Sequence, residues 1–293
     1  MNVAGPARRL GATRRGHNWR IPLCPGGCGY PASLAEGENG KVLFFCHGGC
    51  SFDQGMSALV QYGSLDDDDN AGLYTPSVAV RQRDDDDRRR KIEQACGIYA
   101  SAAPNELIGV YLRSRGSRLT SPVLRFLEAA PHRLGARLPA MIAPVVNVAG
   151  EQTGVHMTYL RADGSGKADL PKEFQRETRG LIRGGAIRLA AYVPDDELLT
   201  GEGLETTLSA MEIFGLPGWA AIYAGGLKTM ELPPEVKRIL IAADHDEAGR
   251  QCALAARDRW IAEGRMVRVK VPPVPGQDFN DVLLGRRRNA ASP

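Results

Sequence analysis

Short apolar runs, each closing on an acidic turn, recur through the last third of the chain. Ile239-Leu240-Ile241-Ala242-Ala243 is apolar at five consecutive positions, as expected of a strand buried on both faces. Leu198-Leu199, Ala220 to Ala224 and Val267 to Val271 predict three further strands. Leu204 to Phe214 predicts a helix ended by Gly215 and Pro217. Glu247 to Ala262 predicts another, because Ala248, Ala253, Ala256 and Trp260 recur at roughly helical spacing. The order β-α-β-β-α-β favours a mainly parallel sheet with helices on both faces. Upstream the pattern is mixed. Helices are expected from Arg88 to Ala103, over a short stretch closing at Tyr111 to Gly116, and from Ser121 to Leu127. Strands are expected at Lys41 to Phe45, Pro139 to Val148, Gly154 to Leu160 and Ala186 to Leu189, with Ala149-Gly150 as a hairpin turn.

The acidic turns converge if this topology is right. In open parallel sheets, ligands collect outside the carboxyl ends of the strands. Glu202, Asp244, Asp246 and Asp278 all fall there. Two to four carboxylates with room for phosphate suit magnesium, a hard cation that keeps several waters. The mechanistic use of such ions is to clamp attacking and leaving oxygens in an in-line displacement. Glu202 is either a general base or a further metal ligand. His245 is not required as a ligand. Asp246 and Glu247 also suit the start of a helix, a role that does not account for three clusters at three strand ends.

These residues carry a resemblance. Glu202-Gly203, then Asp244-x-Asp246-x-Ala248-Gly249, then Gly276-Gln277-Asp278-x-Asn280-Asp281 resemble the Toprim domain of DnaG-type primases and topoisomerases. The resemblance implies Glu202 as the acid/base glutamate and Asp244, Asp246 and Asp278 as ligands of magnesium or manganese, two ions in all. Primases carry Asp-Pro-Asp where this chain has Asp278-Phe279-Asn280. The last role therefore falls to Asn280 or to Asp281. Glu205 either supports Glu202 from one turn along or faces solvent.

Cys24, Cys28, Cys46 and Cys50 form two close pairs in glycine-rich turns, the signature of a structural zinc ion in a ribbon. His47 is an alternative ligand. Disulfides suit this chain less, since it shows no secretory signal and no transmembrane run, and cytosolic thiols stay reduced. A cytoplasmic location is expected. Cys96 and Cys252 read as buried thiols in helices. The first 35 residues contain Arg8, Arg9, Arg14, Arg15 and Arg20 and no acid, which suits phosphate contacts. Trp19, Phe44 and Phe45 are candidates for stacking on bases, Phe44 and Phe45 equally for the ribbon's small core. DnaG-type primases also begin with a zinc ribbon, typically with a histidine among its ligands. Here Cys28 takes that place.

Asp66 to Asp69 and Asp84 to Asp87 are like-charge runs, expected in solvated linker. The expected organisation is a basic arm and zinc ribbon at 1–61, a linker at 62–90, a mixed α+β subdomain at 91–194, a Toprim α/β domain at 195–285 and a basic tail at 286–293. The fold class is α/β within an α+β whole. Net charge is only +3, yet Arg161, Lys167, Lys172, Arg176, Arg179 and Arg183 crowd one stretch, as a template strand or a nucleoside triphosphate requires. Tyr111-Leu112-x-x-Arg115-Gly116, Tyr159-Leu160-Arg161 and Pro171-Lys172 resemble the amino-terminal subdomain of the primase core. That match turns Arg161 and Lys172 toward template and nucleotide, and Arg115 and Lys167 join them as candidate contacts. The resemblance implies a primase that makes RNA primers on single-stranded DNA, working with a separately encoded helicase, since no Gly-rich phosphate loop with Lys-Ser/Thr is present. A Toprim nuclease and a non-catalytic replication accessory factor are the alternatives.

Overall fold

The computed structural model describes residues 4–16, 18–26, 30–36, 42–46, 50, 52–61 and 78–291. The chain divides into two compact units, 1–84 and 85–293. In the first, α1 (Ala4–Arg9) precedes an antiparallel sheet of β1 (Thr13–Arg15), β2 (Asn18–Ile21), β3 (Ala32–Glu36) and β4 (Val42–Cys46) in sequential order, followed by α2 (Phe52–Gln61). β4 alternates, with Val42, Phe44 and Cys46 inward and Leu43 and Phe45 outward, the period-two pattern of a strand with one covered face. Phe44 is thus core and Phe45 is on the surface. Helix α2 approaches Phe44 so closely that a Cβ at Gly55 would lie 1.9 Å from its ring. Asp66 to Asp69 lie outside the described residues.

The second acidic run departs from expectation. Asp84 to Asp87 are helical, within α3 (Val78–Ala100). Asp87 lies 2.5 Å from Arg90 and 2.6 Å from Lys91, the i,i+3 and i,i+4 pairs that favour a helix. Next come α4 (Glu106–Ser114), capped by the Asn105 side chain at the Leu107 amide, and an antiparallel sheet of β5 (Arg125–Pro131), β6 (Arg137–Val146), β7 (Gln152–Tyr159) and β8 (Arg176–Gly180) in sequential order. The helix expected at Ser121 to Leu127 does not form. Phe126 instead exchanges backbone hydrogen bonds with Ala103 and pairs with Met141, so strand partners override local preference. β8 was not foreseen, being an edge strand of alternating charge, the composition that guards an edge.

The last part is a five-stranded sheet in the order β13-β12-β10-β11-β9, formed by β9 (Ile187–Arg188), β10 (Glu197–Gly201), β11 (Gly218–Ala220), β12 (Arg238–Ala242) and β13 (Met266–Lys270). All pairs are parallel except β9 with β11. The connections carry α5 (Leu204–Phe214), α6 (Ala224–Thr229) and α7 (Glu247–Ala262), and α8 (Phe279–Ala291) follows β13. Leu199 and Leu240 pack toward α5, α8 and the antiparallel sheet, while Leu198, Ile239 and Ile241 pack toward α6 and α7. Burial on both faces explains the unbroken apolar runs.

Two boundaries differ from the pattern, and so does the burial of one thiol. The strand expected through Ala224 stops at Ala220, because Ile222 turns to φ +77° and α6 begins two residues later. A Cβ at Gly226 would lie 2.0 Å from the Ala221 carbonyl oxygen, so only glycine permits that tight return. The basic tail is helical through Ala291, and Arg287 pairs with Glu212 on α5. Cys252 is buried, but Cys96 is half-buried. Among the described residues no helix is long and apolar enough to cross a membrane.

Candidate metal centre and nucleic-acid interface

Each acid of the site is placed by a chain reversal at a strand end. Glu202 directly follows β10, and Gly203 is the N-cap of α5. Asp244 lies two residues past β12. Asp246 caps α7, its Oδ1 accepting from the Gly249 amide at 2.7 Å. Asp246 therefore does serve as a cap, and does so facing the other acids. A Cβ at Gly249 would lie 2.9 Å from the Asp244 carbonyl oxygen, which is why glycine follows Ala248 in the motif.

The third cluster is brought in by His245. Its amide donates to Gln277 O at 2.9 Å, its carbonyl accepts from Gly276 at 2.8 Å, and its Nδ1 lies 2.7 Å from Pro272 O. These ties fold the 271–278 loop onto the Asp244 turn. Sequence reasoning set His245 aside as a non-ligand; its work is to hold the loop. Asp278 and Asp281 cap α8 reciprocally, each carboxylate accepting from the other's amide at 2.9 and 3.1 Å. The Thr206 hydroxyl donates to Asp278 Oδ2 at 3.3 Å.

Burial and mutual repulsion raise the carboxyls of two of the site's acids. Burial, then Glu202, Asp278, Asp246 and Asp281, push the Asp244 carboxyl up to about 7. Burial and Asp246 raise Glu202, opposed by Arg176. Asp244 Oδ1 is buried and has no hydrogen-bond partner among the described residues. An orphaned oxygen among like charges is the environment a divalent cation relieves, and the all-oxygen donor set fits magnesium or manganese. The carboxylates are nevertheless spread, since no three of them bring oxygens within 4.8 Å of one another among the described residues.

Asn280 and Asp281 are distinguished by the structure. Asn280 is 1% exposed. Its Nδ2 donates to Ser209 Oγ at 3.1 Å and to the Arg115 carbonyl, so it locks α8 to α5 and to the end of α4. Asp281 is exposed, and its charge reaches Asp244.

In the amino-terminal unit, the sulfurs of Cys24, Cys46 and Cys50 are buried and lie within 4.8 Å of one another. A Cβ at Gly26 would lie 3.1 Å from the Cys50 sulfur, so the turn wraps the thiols closely. Three convergent thiols fit a zinc ion. Cys28 and His47 lie outside the described residues.

The four expected nucleic-acid contacts differ in their surroundings. Arg161 pairs with Asp169 at 2.5 Å, both exposed. Lys172 is exposed on a 3-10 turn. Arg115 closes α4, with its Nε buried and unpartnered. Lys167 turns inward, its Nζ 2.9 Å from buried Glu205. Arg176 was read only as one of a dense basic stretch. It is half-buried on β8, has no hydrogen-bond or ion-pair partner among the described residues, and acts electrostatically on Glu202. Nothing in its spacing separates it from Arg179, which pairs with Glu177 at 2.9 Å.

Residues 197–288 match the family model of the Toprim domain. Residues 89–189 match a "Domain of unknown function (DUF7146)". No curated protein matches the chain. Among solved structures, the primase fragment of the bacteriophage T7 primase-helicase protein is 17% identical, covering 64% of this chain and 71% of that one, with a TM-score of 0.42. The Aquifex aeolicus primase (zinc binding and RNA polymerase domains) is 15% identical over 98% of this chain and 82% of that one, with a TM-score of 0.40. The E. coli primase catalytic core is 17% identical over 72% and 70%, with a TM-score of 0.35.

Proposed function

We propose that this protein is a DNA primase, building short RNA primers on single-stranded DNA by metal-dependent nucleotidyl transfer in the replication of a phage or mobile element. The observation that carries the proposal is the placement of Glu202, Asp244, Asp246, Asp278 and Asp281 at the carboxyl edge of the parallel sheet, where burial and the four neighbouring acids push Asp244 up to about 7. Asp244, Asp246 and Asp278 would hold magnesium or manganese, with Glu202 as a further ligand or as the base that takes the proton of the attacking hydroxyl. When bound, such ions polarise phosphoryl oxygens and stabilise the attacking and leaving oxygens. Arg161, Lys172 and the unpaired Arg176 would meet the phosphates of template and incoming nucleotide. Arg115 would act from the end of α4, next to Asn280.

The division of labour follows the sequence. Residues 1–61 would hold zinc through Cys24, Cys28, Cys46 and Cys50 and read the template. Residues 91–194 would hold nucleic acid and nucleotide, and residues 195–285 would carry the reaction. A separately encoded helicase would deliver the strand.

The test is synthesis itself. Purified protein is incubated with single-stranded DNA, labelled ribonucleotides and magnesium or manganese, beside Asp244→Ala. The expected result is short oligonucleotides from the wild type alone. Metal-dependent shortening of the DNA would instead indicate a nuclease, and neither product, with helicase supplied, an accessory factor. Synthesis retained by Asp244→Ala would overturn the assignment of the site.

A further inference from the structure

We propose that Glu205 is a positioning residue. Held between Tyr111 and Lys167, it fixes the first turn of α5, and with it Glu202, against the segments that carry the basic side chains. The inference rests on the nucleotidyl-transfer reading and names what sets the geometry of that site.

Glu205 lies three residues after Glu202, in the first turn of α5. Its Oε1 accepts from the Tyr111 hydroxyl at 2.7 Å and lies 2.9 Å from Lys167 Nζ. Tyr111 is fully buried on α4. Lys167 comes from the turn after β7, where its backbone bridges Leu160. One carboxylate oxygen thus joins three segments far apart in sequence. Glu205 itself is 6% exposed. Burial alone would raise its carboxyl, but Lys167 and the hydrogen bonds outweigh burial and hold it well below the usual carboxylate range.

Stability is a poor explanation for this arrangement. A buried ion pair costs so much desolvation that apolar side chains of similar volume often serve as well or better. What the pair offers is geometry. Over five residues, α5 and its approach address three groups: Glu202 faces the acids, Glu205 is tied to Tyr111 and Lys167, and Thr206 donates to Asp278. Lys167 stands between Arg161 and Lys172 in the chain, so the same bond sets where that basic stretch sits relative to Glu202. A lysine that reads from sequence as a phosphate contact is an internal tie.

The test compares Glu205→Gln, Lys167→Met and Tyr111→Phe with the wild type in steady-state primer synthesis, Mn²⁺ binding by electron paramagnetic resonance, and hydrogen exchange of the α5 amides. A displacement of about 1 Å at a reacting group costs on the order of a hundredfold in rate. Turnover is therefore expected to fall on that order in Glu205→Gln and Lys167→Met. KM for nucleotides and Mn²⁺ affinity should stay at wild-type values, while the first turn of α5 exchanges faster. A higher KM with turnover intact in Lys167→Met would make Lys167 a direct substrate contact and overturn the inference, as would unchanged turnover in all three. Tyr111→Phe removes a single hydroxyl and carries the same split if the charge variants fail to fold. If the wild type makes no primers, the function reading falls by itself. The exchange rates then decide the present inference, and wild-type exchange across α5 in Lys167→Met overturns it.

Discussion

Replacing Asp244 by asparagine should make the metal-free protein more stable, even though it removes a central residue of the site. Asparagine keeps the shape and discards the charge that burial and four neighbouring carboxylates oppose. The rise of the Asp244 carboxyl from 3.8 to about 7 sets a ceiling of about 4 kcal/mol on that strain. Solvent at the half-open site reduces the expected gain to about 2 kcal/mol. The sign follows from linkage. An acid whose folded-state pKa is raised costs stability as pH climbs from the unfolded value toward 7, and the full cost persists above 7. Asparagine does not titrate, so the advantage of the variant is largest at pH 8 and shrinks toward pH 4.5. For a unit of this size, about 2 kcal/mol moves Tm by roughly 4 to 8 °C. Differential scanning calorimetry in EDTA at both pH values reads the gap directly. Added Mg²⁺ should then stabilise the wild type and leave the variant unmoved. A variant less stable than wild type at pH 8, or a gap independent of pH, would refute the claim that burial and the neighbouring carboxylates strain Asp244.

Three further outcomes follow from the same structure. His156 is 5% exposed, its Nδ1 has no partner among the described residues, and burial lowers it to about 4. Protons therefore favour the unfolded state between pH 6.5 and 4, costing up to about 3 kcal/mol. His156→Gln should flatten that part of the stability–pH curve, and an unchanged slope would count against it. Cys46→Ser should lose zinc by metal analysis and melt the β1–β4 sheet by circular dichroism, and full zinc retention would remove Cys46 from the ligand set. Gly249→Ala should cost about 1–3 kcal/mol, as overpacking does, because its Cβ would meet the Asp244 backbone 2.9 Å away. A wild-type denaturation midpoint would show that the turn can yield.

The parallel sheet was legible because both of its faces are covered. Ile239 to Ala243 reads as a strand without any knowledge of its partners, and α7 begins and ends where its alanine spacing predicts. The acidic positions were legible for a related reason, since strand ends are fixed by the pattern and ligands gather there. The two edges of the antiparallel sheet were not. Arg176 to Gly180 carries charge at three of five positions, on both faces, and only pairing with β7 makes it a strand. Ser121 to Leu127 has the composition of a helix, and Phe126 is held extended by Ala103 and Met141. The acidic run at Asp84 to Asp87 reads as linker until its neighbours Arg90 and Lys91 are placed one turn away.

The sequence by itself determined which acids stand at the candidate site, because residue type and strand-end position are local properties of the chain. Tertiary structure alone decided which of them face each other. Asn280 and Asp281 are adjacent in the chain, yet one is locked to Ser209 and Arg115 while the other looks toward Asp244. Lys167 and Lys172 are five residues apart, yet one is an internal counter-ion and the other lies in solvent. Neighbours in sequence share composition and spacing. What separates them is which groups of other elements lie within reach, and those distances are written only in the packing of α4, α5 and α8.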